Sequence, residues 1–235
     1  MRCFIVLAFA SSLLVAQEAD RVKQLERELK QQNRTLRDYG GLIRYGSDNT
    51  ELAADPDRVI FFGDQITEYW AKFPGKSWLN RGIAGQTTDQ MLIRFRQDVI
   101  SLRPRAVVIL AGLNDIAGLH GASTEEMILD NLTSMTELAK ANGIRVVLAS
   151  VTPICNCYTK SVARERWQER IVEVNELIEK YCAKSGAVFL DYFEAMADQG
   201  NLKKELTNDG IVPNEAGYAA MGRLAEKAIV EALSR

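Results

Sequence analysis

The stretch RVIFFGDQIT, residues 58–67, opens with an unbroken apolar run and changes character at Gly63. The run from Arg58 to Phe62 is too short for a stable helix and shows no polar alternation. That predicts a short strand buried on both faces, as in a parallel sheet. Gly63 and Asp64 then supply turn chemistry, and Thr67–Lys72 reads as helical. Similar events recur downstream. AVVILA (106–111) runs into Gly112-Leu113-Asn114-Asp115, and RVVLAS (145–150) precedes a long helical stretch.

Outward from these three strands the alternation continues. Ser77–Asn80 reads as a strand, followed by a helix over Thr88–Leu102. Thr124–Ala141 is a helix capped by Ser123 or Thr124, with Glu126 near the capping-box position and Asn142-Gly143 as its stop. Ala163–Ser185 is a long amphipathic helix closed by Gly186, Val188–Asp191 is a strand, and Glu215–Leu233 is the closing helix. Five strands alternating with helices predict an α/β fold: a three-layer α/β/α sandwich around a five-stranded parallel sheet, flavodoxin-like in kind.

Composition fits a soluble globular chain, with 47% apolar and 26% charged residues among 235. The net charge of −2, with both signs interspersed, argues against nucleic acid as a partner and against a polybasic membrane patch. Arg2 followed by the apolar tract Cys3–Ala16 predicts a signal peptide over residues 1–16. The tract is shorter than the roughly 20 residues that a membrane span needs. Ala16 before Gln17 suits cleavage, although Leu14 fits the small-residue rule poorly. An uncleaved anchor is the alternative. The expectation is export, to a periplasm or outside the cell, with no membrane span after cleavage. Residues 17–55 read as a helical N-terminal arm, and residues 56–235 as the main domain. Val22, Leu25, Leu29 and Leu36 recur at helical spacing along the arm, which is expected to pack on its own domain and is the place for any protein partner.

Removal of Cys3 would leave Cys155, Cys157 and Cys182, an odd number for an oxidising compartment. With one histidine and no second cysteine pair, Cys155-x-Cys157 is a weak metal motif. The expectation is no metal and no cofactor, with a loop bridged to Cys182.

In open parallel sheets, ligands bind outside the carboxyl ends of the strands. Four polar, glycine-containing clusters fall there: Gly63–Thr67, Asn80–Thr88, Gly112–Asp115 and Asn208–Asn214. Any one could be a turn, but four at one sheet edge point to a site. In order and content they resemble the blocks of the SGNH hydrolase superfamily, the GDSL-like lipases and acylhydrolases. Gly63-Asp64-Gln65-Ile66-Thr67 is similar to the Gly-Asp-Ser-x-Thr block, and Gly85 to the second-block glycine. Gly112-Leu113-Asn114-Asp115 matches Gly-x-Asn-Asp. Asp209-Gly210-Ile211-Val212-Pro213-Asn214 is similar to Asp-x-x-His-Pro-Asn.

The resemblance implies a serine esterase fold in which serine attacks an ester carbonyl, histidine takes its proton, and aspartate orients the histidine. It implies that Gly85 and Asn114 are oxyanion-hole donors, Asp209 the orienting carboxylate, and Asp64 and Asp115 supporting residues. The chain departs from the pattern at two positions: Gln65 stands where the nucleophile belongs and Val212 where the base belongs. A carboxamide is no useful acyl nucleophile and valine carries no proton. The expected function is therefore that of a catalytically degenerate esterase whose oxyanion-hole cleft binds a small acyl or glycan-type ligand. The alternative is a hydrolase acting on ester or carbohydrate-linked acyl substrates through atypical residues. His120, the sole histidine, is a candidate for that chemistry. So is a glycosidase-type pair of Asp64 and Asp209, although a structural role for Asp64 is preferred.

Overall fold

The computed structural model describes residues 17–235 except 28, 31, 32, 34, 35, 76 and 159–161. The predicted signal peptide, residues 1–16, lies outside them. The described residues fall into two units, one ending at Gly41 and one running from Leu42 to Arg235. In the first unit residues 17–27 are helical (α1). The stretch read as an arm, residues 17–55, is thus divided, and its second part belongs to the large unit. There α2 (Gly46–Glu51) is tied down by polar side chains rather than by a buried apolar face. Asn49 Nδ2 donates to Asp98 Oδ1 at 2.7 Å, and Asn49 Oδ1 accepts from Arg81 Nε at 2.9 Å. The Tyr45 hydroxyl donates to the carbonyl of Gly82 at 2.6 Å.

The large unit is built on five parallel strands, β1 (Val59–Gly63), β2 (Trp78–Gly82), β3 (Ala106–Leu110), β4 (Arg145–Ala149) and β5 (Val188–Leu190). Their order across the sheet is β2-β1-β3-β4-β5. All residues of β1 and β3 are buried, as their continuous apolar runs require. Successive side chains of a strand point to opposite faces. Phe62 therefore meets Phe95 of α4 (Thr88–Asp98) on one side, with ring centroids 5.3 Å apart. Phe61 packs on the other side against Trp70, whose ring stacks 5.3 Å from Tyr218 of α9 (Glu215–Ser234). On the first face α4, α6 (Glu125–Ala141) and α7 (Val162–Ser185) lie side by side, while α9 covers β3, β4 and β5. The result is the three-layer α/β/α sandwich. One-turn helices α3 (Gln65–Glu68) and α5 (Leu113–Ile116) follow β1 and β3, and α8 (Tyr192–Met196) follows β5. A small antiparallel pair, β6 (Ala197–Asp198) and β7 (Asn201–Leu202), leads towards α9.

Three local expectations need correction. The helix after β1, expected over Thr67–Lys72, starts at Gln65 and lasts one turn. Asp64 caps it, accepting from Ile66 N at 2.9 Å, so the helix begins where its first orphan N–H groups find an oxygen. Glu126 is not part of a capping box: Thr124 is the cap and accepts from Met127 N, which places Met127 at the third helical position. The cysteines also pair differently, since Cys155 is bonded to Cys157 and Cys182 is a free, buried thiol. Cys182 sits on the inner face of α7, where burial pushes the thiol up to about 12 and so disfavours the thiolate. Among the described residues no helix is long and apolar enough to cross a membrane.

Candidate functional site

Adjacent strands β1 and β3 send their connections in opposite directions along the sheet, to β2 on one side and to β4 on the other. The crevice opened by that reversal is where open α/β sheets bind ligands. The chain passes closely here. A Cβ on Gly63 would lie 2.6 Å from the carbonyl of Leu110, so only glycine lets the two strand ends approach. Gln65 leaves β1 on α3, Asn114 leaves β3 on α5, and Gly85 arrives on the loop after β2.

These three residues are joined by hydrogen bonds. Gln65 Oε1 accepts from Asn114 Nδ2 at 2.8 Å and from the backbone N–H of Gly85 at 3.1 Å. In return Gln65 Nε2 donates to Asn114 Oδ1 at 3.2 Å, closing a ring of two amides. Backbone groups fix which way both amides face. Gly85 N–H can only donate, so it must meet the oxygen of Gln65. The carbonyl of Gln86 can only accept, and it takes Asn114 Nδ2 at 2.8 Å. Gly85 has φ 80°, a left-handed conformation that turns its N–H into the site and favours glycine. The two groups expected to donate in an oxyanion hole thus share one acceptor, the side-chain oxygen of Gln65.

Supporting residues explain why the donors hold still. Asp115 takes both the N–H and the hydroxyl of Thr88, at 3.0 and 2.6 Å, fixing the start of α4 to the end of β3. Arg94, which sequence reasoning missed, lies wholly buried beneath the site. Its guanidinium donates to the carbonyls of Gly63 (3.0 Å) and Arg81 (2.9 Å), to Gln86 Oε1 (2.6 Å) and to Asp98 (3.1 Å), and stacks over Phe62 at 4.1 Å. One side chain thereby ties the ends of β1 and β2 to the loop that carries Gly85. The available signal was Arg94 and Asp98 at i,i+4 spacing on a helix face that also carries Met91 and Phe95.

Asp209 and Val212 lie on the loop before α9. Asp209 Oδ1 is used inside that loop, accepting from the N–H groups of Ile211 and Val212, both at 2.8 Å, and from the Thr207 hydroxyl at 3.2 Å. The loop is drawn towards α3 by Tyr218, whose hydroxyl donates to the carbonyl of Ile66 at 2.9 Å. Beside it lies an open groove of about 730 Å³ between Tyr69–Pro74 and the first turns of α9, with Trp70, Phe73, Pro213 and Tyr218 in its walls. His120 is exposed in the turn after α5. Among the described residues no group of three or more His, Cys, Asp and Glu side chains forms a metal centre.

Asp64 is buried beneath the site and caps α3. Burial pushes its carboxyl up to about 7; Asp115 adds to the rise and the bond from Ile66 N opposes it. Burial raises Asp115 as well, against the pull of Thr88. A carboxyl raised in the folded state keeps a proton that the unfolded chain has lost, so its stabilisation is full below about pH 4 and is lost as pH rises towards 7. Asp64→Asn retains a capping oxygen but cannot ionise. Chemical denaturation between pH 4 and 7 should show wild type losing stability relative to this variant by up to ~1.4 kcal/mol per pH unit. A pH-independent difference would mean that Asp64 is ionised throughout.

The crevice, its paired donors and the loop before the last helix define a hydrolase-type α/β/α scaffold, with Gln65 just past the end of β1 and Val212 in the loop before α9. Residues 45–220 match the GDSL-like lipase/acylhydrolase family, and the chain belongs to that family. A GDSL-like lipase from Bacteroides thetaiotaomicron is 37% identical with a TM-score of 0.76, covering 83% of this chain and 99% of that one. A catalytic mutant of an acetylxylan esterase from Geobacillus stearothermophilus shares the fold at 17% identity and a TM-score of 0.62, covering 75% of this chain and 96% of its own. The uncharacterised lipoprotein YqeF of Bacillus subtilis is 34% identical over 79 residues. That match spans 32% of this chain and only 32% of the lipoprotein.

Proposed function

We propose that this chain is an exported, catalytically degenerate esterase whose oxyanion-hole cleft binds a ligand without hydrolysing it. The observation that carries the reading is the Gln65 carboxamide, whose oxygen takes both hole donors while its carbon skeleton fills the place of a nucleophile. An ester carbonyl has no attacking group there, and Val212 supplies no proton acceptor. Loss of a nucleophile or base costs about 10⁶ in rate, and what oxyanion donors and binding sustain alone is about 10³–10⁴ over water. The groove beside Pro213 and Tyr218 offers apolar walls for the body of a small acyl or glycan-type ligand. Export rests on the apolar tract Cys3–Ala16.

The direct test is hydrolysis of short p-nitrophenyl esters by purified wild-type protein, which should not exceed a matched buffer blank. A saturable rate that vanishes when Gly85 or Asn114 is substituted would refute the reading. Catalysis would then have to come from His120 or a threonine such as Thr67.

A further inference from the structure

We propose that the Gly85–Asn114 site is a carboxamide-recognition site, filled in this chain by Gln65 itself, and that the ligand able to displace Gln65 bears an amide rather than an ester. The inference rests on the non-hydrolytic reading above and adds the chemical class of the ligand. It follows from what the Gln65 side chain satisfies. Two donors, Gly85 N–H and Asn114 Nδ2, converge on one oxygen, and one acceptor, Asn114 Oδ1, faces a nitrogen.

A carboxamide, or the N–H and C=O of an N-acyl group in the cis-like arrangement of a primary amide, meets all three. An ester carbonyl meets the two donors but leaves Asn114 Oδ1 facing an ether oxygen or a carbon. A carboxylate sets its second oxygen against Asn114 Oδ1, acceptor against acceptor. Asn114 is buried, so an unmatched Oδ1 cannot easily turn to water, and the mismatch is felt. Sites built to hydrogen-bond a ligand N–H discriminate strongly against analogues that lack it for this reason. The Asn114 amide cannot flip to welcome an ester, because its Nδ2 is also committed to the carbonyl of Gln86.

Gln65 is half-buried, and its backbone is held by the capped turn of α3, so its side chain competes with any external amide as a tethered ligand. Shortening it should open the site without removing the donors. The experiment follows the Gly85 backbone amide and the Asn114 side-chain amide by NMR while acetamide, methyl acetate or sodium acetate is added to wild type and to Gln65→Gly. In Gln65→Gly, acetamide should shift both sets of resonances saturably, and methyl acetate and acetate should bind at least about tenfold more weakly. Wild type should require at least about tenfold more acetamide than the variant.

Methyl acetate binding as tightly as acetamide would overturn the proposal, and so would equal affinity in wild type and variant. If Gln65→Gly does not fold, exchange in wild type decides. The side-chain amide protons of Gln65 and Asn114 should exchange more slowly than those of exposed Gln199, and equal rates would refute the amide ring. Esterase activity in wild type would sink the non-hydrolytic reading while leaving the binding data to stand. Equal ester and amide binding by a hydrolytically silent protein would sink only this one.

Discussion

Ester hydrolysis should appear in the double variant Gln65→Ser/Val212→His and in neither single variant. The serine side chain would restore the nucleophile and, by removing the carboxamide, vacate the hole formed by Gly85 N–H and Asn114 Nδ2. A histidine at 212 would take the serine proton and later return it to the leaving alcohol. Its second N–H needs a carboxylate, and the family resemblance assigns that part to Asp209, whose bonds within its loop fall on Oδ1 and leave Oδ2 to be tested as the acceptor.

Val212→His alone has a base but no nucleophile, and its hole is still filled. Gln65→Ser alone has an open hole and a hydroxyl that nothing deprotonates. Because nucleophile and base act as a unit, the gain should be strongly non-additive. The full unit is worth about 10⁶, and a misplacement of about 1 Å can cost 10²-fold, so turnover of p-nitrophenyl acetate about 10²–10⁴ above wild type is expected. A folded double variant at background would mean that the loop carrying Asp209 and residue 212 does not present its side chains to α3.

Arg94→Met should destabilise the large unit strongly. Arg94 and Asp98 are both fully buried, and burial lowers the guanidinium to about 10, which still leaves it charged at neutral pH. Methionine fills the volume but abandons a buried carboxylate and withdraws the donor from the carbonyls of Gly63 and Arg81. Breaking one partner out of a buried pair costs about 3–5 kcal/mol. For a unit of this size that corresponds to roughly 6–20 °C in Tm. Arg94→Met/Asp98→Met removes both charges and should lose less than Arg94→Met alone, because the uncompensated anion is gone. Equal losses in the two variants would show that the carbonyl contacts at the strand ends, not the ion pair, carry the stability.

The parallel sheet could be read because its strands are buried on both faces. VIFFG and AVVIL have no polar alternation to confuse with an edge or a solvated strand. The site residues could be read because glycine, asparagine and aspartate cluster where the runs stop. Their roles were legible only in part. Gln65 stands where the family resemblance expects a serine, yet nothing in local sequence indicates where a carboxamide will point. The Cys155–Cys157 bond was missed for a related reason. Pairing depends on which Cβ vectors face each other, and Cys182 on α7 is buried in the hydrophobic core instead.

By itself the sequence determined the class of fold and the five strands, since each depends on short-range pattern. Tertiary structure alone decided the strand order β2-β1-β3-β4-β5, which sets β1 beside β3 and so brings residue 65 to residue 114. It also decided that Arg94, polar and charged, would be buried, because only the assembled strand ends supply enough oxygens to satisfy it. The pairing of Gln65 with Gly85 and Asn114 belongs to the same category. A hydrogen-bond donor must find an acceptor within about 3 Å. The chain resolved that need with its own glutamine, 49 residues from Asn114 along the sequence.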